Sequence, residues 1–140
     1  MTRFALLAFI ALPMAKLNGQ DSTPLDPTVS YVVTGGRWSD STGGGEYRVI
    51  VRTGGFEHVG SALSIEWLQE PRNQDDPGTV TCSRHSGFQG IWLLELPRLT
   101  CNRTQCQVQV RGTNTRNDEK GSWTITIQHP GHYSISRGRP

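Results

Sequence analysis

After its first 19 residues the chain has no long hydrophobic run, no excess of charge of one sign and only three cysteines. Each shortage excludes something. A helix that spans a bilayer needs about 20 predominantly apolar residues, so no transmembrane segment is expected in the mature chain. Basic and acidic residues balance at 12 each beyond residue 19, because the formal +2 of the whole chain comes from Arg3 and Lys16. The electropositive surface of a nucleic-acid or anionic-membrane binder is therefore missing, and a nucleic-acid partner is not expected. No stretch sustains a capped 3.6-residue apolar period, which excludes amphipathic helices. There is no Gly-x-Ser-x-Gly elbow, and no Cys stands in a recognisable Cys–His signature. Propeller- or solenoid-length repeats are absent too. No cofactor is expected.

What the chain does have begins with a leader. Thr2 and Arg3 precede an apolar run from Phe4 to Ala15, too short to cross a membrane and of the length of a signal-peptide core. Cleavage after Gly19 divides the chain into a signal peptide (1–19), a lead-in (20–28), one domain (29–136) and a flexible tail (137–140). No Cys follows the run, which argues against a lipid anchor. The expected location is secreted or periplasmic, in a bacterial host.

An oxidising compartment makes one disulfide expected among Cys82, Cys101 and Cys106, with one thiol left over. Cys101 and Cys106 flank Asn-Arg-Thr-Gln, a natural turn, so they are expected to clip the arms of a hairpin. Cys82 would then be a buried, unreactive thiol. The alternative pairs Cys82 with either partner across neighbouring strands. Asn102-Arg103-Thr104 is also a glycosylation sequon, relevant only in a host that glycosylates.

The domain reads as short period-2 segments broken by Gly, Pro, Asn and Asp. Eight strands are expected, at Ser30 to Thr34, Glu46 to Thr53, Glu57 to Gln69, Thr79 to Ser83, Ile91 to Leu96, Gln107 to Gly112, Ser122 to Gln128 and Tyr133 to Ser136. Tyr47, Val49 and Val51 share one face, as do Leu63, Ile65 and Trp67, Val108 and Val110, and Trp123, Ile125 and Ile127. The expected class is all-β, an antiparallel sandwich with Greek-key or jelly-roll wiring left open. The closing Pro-Gly-x-Tyr-x-Ile pattern at 130–135 resembles the final strand of many exported β-sandwich domains and carries no site residues.

The candidate chemistry is thin. His129 and His132 flank a Pro-Gly turn that can bring two imidazoles to one ion, but zinc needs three or four ligands, and His58 and His85 lie on distant segments. They are read as solvated turn histidines, and no metal is expected. Asp75 and Asp76 offer calcium two carboxylates where it takes six to eight oxygens. Glu57 and His58, adjacent in an expected strand, would point to opposite faces. Arg48, Glu57 and Glu66 are expected as outward neighbours that form ion pairs.

The aromatic residues say more. Trp67 and Trp123 are core by alternation, while Trp38 follows Gly35-Gly36-Arg37 and precedes the Gly/Ser-rich segment 39–45. Alternation does not dictate its burial: Trp38 either folds back over the end of the core or, as the binding reading needs, stands exposed as an anchor, with Arg37 as a polar contact and Trp92 as a further candidate. The expected function is a non-enzymatic binding or inhibitor-type module for an unknown protein or glycan. Two alternatives stay open: a small secreted hydrolase or metal-dependent enzyme with a site built across strands, and a carbohydrate-binding module using an exposed Trp.

Overall fold

The computed structural model describes residues 26–41, 43–70, 80–85, 88, 91–102 and 105–138, with the backbone alone at Thr81, Cys82, Arg84 and His85. The expected signal peptide (1–19), the Asp75-Asp76 segment and the side chain of Cys82 lie outside the described residues. Among the described residues the chain is all-β. Its nine strands are β1 (Val29–Asp40), β2 (Gly43–Gly54), β3 (Gly60–Gln69), β4 (Val80–His85), β5 (Trp92–Leu94), β6 (Arg98–Cys101), β7 (Cys106–Asn114), β8 (Lys120–Ile127) and β9 (Tyr133–Gly138). None of the described residues forms a helix long and apolar enough to cross a membrane.

Two antiparallel sheets result. The first has the order β1-β2-β3-β4, and the second has β5-β7-β8-β9 with β6 also paired to β7. Strands β5 and β6 lie end to end along the same edge of β7: Leu94 opposes Gly112 and Arg98 opposes Gln109. Between them Glu95-Leu96-Pro97 forms a break, held where the Glu95 amide donates to the Arg111 carbonyl at 2.9 Å.

Period-2 alternation accounts for the core. Tyr47, Val49 and Val51 of β2 oppose Trp67, Ile65 and Leu63 of β3, and all six are buried. In the second sheet Val108 and Val110 of β7 oppose Ile125 and Trp123 of β8, with Ile127 behind Cys106. These side chains form a single apolar cluster drawn from both sheets. Phe88 and Trp92 close one end of it against Trp123, edge to face, with ring centroids 4.9 and 4.7 Å apart.

Three expectations need correction. Gly35-Gly36 does not end the first strand; it makes a β-bulge, and β1 runs on to Asp40. Glu57 and His58 are not in a strand, since β3 starts at Gly60 and both lie in the exposed β2–β3 turn. The tail does not begin at residue 137, because β9 extends through Arg137 and Gly138, which pair with Trp123 and Ser122. One strand, β6, was not among the eight expected, although it is the arm that the Cys101–Cys106 clip required.

Candidate functional site

The Gly36 bulge decides where Trp38 goes. Along β1, Tyr31, Val33 and Gly35 share the inner face. One extra residue at the bulge shifts the phase, so that Trp38 rather than Arg37 turns inward opposite Gly45. Gly36 has φ +67°, in the left-handed region that suits glycine. Its backbone also lies directly against the disulfide, where a Cβ would overlap both sulfurs. Trp38 is 8% exposed and donates its indole N–H to the Glu46 carbonyl at 3.2 Å. Of the two placements open to Trp38 the ring takes the core, and the exposed anchor is corrected. Trp92, 6% exposed, is also buried, and the Arg137 guanidinium lies 5.9 Å from the centre of its ring. Arg37 remains on the surface, paired with Glu70.

Cys101 and Cys106 are opposed across the β6–β7 hairpin, Cα atoms 4.1 Å apart, and their sulfurs are bonded. Asn102 closes the connection: its amide donates to the Gln105 carbonyl at 3.0 Å, and its side-chain oxygen accepts from the Gln105 amide at 2.9 Å.

The ion pairs follow the register. Arg48 opposes Glu66 on the outer face of the first sheet, its guanidinium 2.5 Å from the carboxylate. Glu57 does not join them. Arg52 reaches Asp26 at 3.5 Å. The Thr28 hydroxyl and amide donate to the Asp26 carboxylate at 2.7 and 3.0 Å and hold its pKa below the usual carboxylate value. Burial raises the Tyr47 phenol above its ordinary value.

Two surfaces escaped the sequence reading. At the tip of the β2–β3 hairpin Phe56 is fully exposed, and Val59 beside it is 44% exposed. The base of the tip is tied by Thr53 and Ser61, hydroxyls 3.1 Å apart, and the Ser61 hydroxyl also accepts from the Leu94 amide at 3.0 Å. An aromatic residue inside a Gly-rich turn, Gly54-Gly55-Phe56, was the available signal. The second surface is the outer face of β6 to β9, where Arg98, Gln109, Thr124 and Ser136 form one cross-strand row, and Thr100, Gln107, Thr126 and Ser134 the next. A groove of about 220 Å³ is lined there by Glu95, Leu96, Arg98, Gln109 and Arg111. Neither Arg98 nor Arg111 forms an ion pair among the described residues.

His129 and His132 come together at the β8–β9 turn, their ring centroids 4.0 Å apart. No group of three or more His, Cys, Asp or Glu side chains converges among the described residues. Comparison with known proteins finds no matching family model, no matching curated protein and no matching solved structure.

Proposed function

We propose that the two sheets close face to face as a sandwich, and that the protein is an exported, non-enzymatic binding module of inhibitor type. Its anchor in this reading is Phe56, presented to an apolar pocket on a partner protein. The sandwich is supported by the shared core and by the Tyr47 hydroxyl, which donates across from the first sheet to the Gln128 carbonyl at 2.9 Å.

The observation that carries the function is the tip of the β2–β3 hairpin. A phenylalanine fully in water forgoes about 2 kcal/mol of burial, so it contributes nothing to folding and is free to contribute to association. Aromatic side chains seated in a partner's pocket are the usual centres of binding energy. The hairpin holds this one forward on a base fixed by Thr53, Ser61 and Leu94, which limits the entropy lost on docking.

Site-specific photo-crosslinking from position 57 in the exported protein tests the reading. A discrete partner captured by the wild type should be lost in Phe56→Ala and kept in Val32→Ala, which removes a half-exposed apolar side chain from β1. Capture unchanged by Phe56→Ala removes the hairpin from consideration.

A glycan partner is favoured by a separate observation, the hydroxyl- and amide-rich outer face of β6 to β9 with two guanidiniums, Arg98 and Arg111, that form no ion pair among the described residues. Hydroxyl and amide arrays suit a sugar's donors and acceptors, and the unpaired charges suit carboxylated residues. Affinity electrophoresis through polygalacturonate and through dextran separates the two readings. Retardation by polygalacturonate alone, abolished by Arg98→Ala with Arg111→Ala and untouched by Phe56→Ala, selects the glycan.

A further inference from the structure

The turn after β8 holds a pair of side chains that neither binding surface uses. Pro130 and Gly131 occupy its centre, and Gly131 has φ +79°, the value a type II turn requires at its third position. The His132 amide donates to the His129 carbonyl at 3.0 Å, and the Gln128 amide donates to the His132 carbonyl at 3.1 Å. This closure sets the two imidazoles on the same side, centroids 4.0 Å apart and planes inclined by 53°.

The turn is anchored to the core. The Gln128 carbonyl accepts from the hydroxyl of Tyr47, which is only 2% exposed. Both histidines are open to solvent, and neither forms an ion pair among the described residues. The pair therefore stands preorganised and accessible, which are the two conditions for chelation from solution.

We propose that His129 and His132 form a two-imidazole chelate for a divalent transition-metal ion, with Cu2+ bound in preference to Zn2+. Metal–imidazole bonds are about 2.0–2.1 Å long, so one ion spans two imidazole nitrogens about 3 Å apart. Rings already in contact reach that separation by side-chain rotation. Zinc wants four ligands, or three and a water, and this turn supplies two. Copper(II) stands at the head of the divalent affinity series and accepts nitrogen and water together in a tetragonal plane, so two imidazoles plus solvent are a workable set.

Titration of tag-free mature protein with CuCl2, followed by calorimetry and by electron paramagnetic resonance, decides it. The expected result is one site per chain with a Kd of about 10 µM or tighter, and a spectrum split by two nitrogens. His129→Asn and His132→Asn should each weaken binding by at least about tenfold, while His58→Asn leaves it unchanged. Both positions are exposed, so the variants should keep the wild-type circular dichroism and melting temperature. ZnCl2 in place of CuCl2 should bind more weakly. The inference fails if no saturable site is seen up to 1 mM Cu2+, if either single variant binds as well as wild type, or if Zn2+ binds more tightly.

Discussion

The Tyr47 hydroxyl donates to the Gln128 carbonyl at 2.9 Å, joining a buried strand of the first sheet to the turn that ends β8 in the second. The two residues are 81 positions apart in sequence, and the bond gives the first test of how the two sheets are held together.

Tyr47→Phe leaves the ring in place and the Gln128 carbonyl without its donor. We expect a loss of about 1 kcal/mol at neutral pH in urea denaturation. A pH arm follows from burial, which raises the phenol's folded-state pKa. Above about pH 10 the unfolded chain releases this proton more readily than the folded one. The stability contributed by the neutral phenol is complete below that pH and declines as pH rises through the folded pKa. Tyr47→Phe should lose this part of the alkaline decline, and an identical slope in both proteins would exclude Tyr47 as its source.

Trp38 and Phe56 should behave as opposites. Trp38→Ala is expected to cost about 3–5 kcal/mol, as for other buried tryptophans, and to lower the melting temperature about as much as Trp67→Ala. Phe56→Ala should leave the melting temperature within about 2 °C of wild type, because nothing is buried there. A mild Trp38→Ala effect would mean that the bulge does not turn the ring inward.

Gly36 and Gly131 both have positive φ, but only Gly36 abuts other atoms. Alanine at 131 should cost about 1–2 kcal/mol of backbone strain. Alanine at 36 adds overlap with the Cys101–Cys106 bridge and should cost about 3 kcal/mol or more. Equal losses at the two sites would show that the strand can move off the disulfide.

Replacing both Cys101 and Cys106 by Ala should cost about 2 kcal/mol, a small effect because the bridged loop is short. Non-reducing peptide mapping of the purified protein should recover these two cysteines in one linked peptide, with Cys82 as a free thiol. Linkage to Cys82 would exclude the hairpin clip in solution.

The inner faces were legible because strand alternation is a local property. Tyr47, Val49, Val51, Leu63, Ile65, Trp67, Val108, Val110, Ile125 and Ile127 all read correctly from spacing alone. The bulge was not legible. Gly35-Gly36 looks the same whether it reverses the chain or inserts one residue into a ladder, and the second outcome decides between the two placements of Trp38 in favour of the core. Strand β6 was hidden by its length and by Pro97 directly ahead of it; its pairing is set by the hairpin to Cys106. The polar outer rows were visible as alternating residues, but which residues share a row depends on register between strands, a long-range property. The histidine pair was noticed in the sequence and set aside for want of further ligands. The contact between its rings depends on the turn's closure.

The interruption between β5 and β6 also bears on how copies of this protein meet. A chain arriving alongside them cannot build an unbroken ladder, because the Leu94 amide is already taken by the Ser61 hydroxyl and Pro97 has no N–H to offer. On the opposite margin β9 runs six residues without a proline and is exposed along most of its length. Edge-to-edge aggregation of the second sheet should therefore start at β9, whose one charged side chain, Arg137, is already paired with Glu119, so that the sheet is closed on one margin and left open on the other.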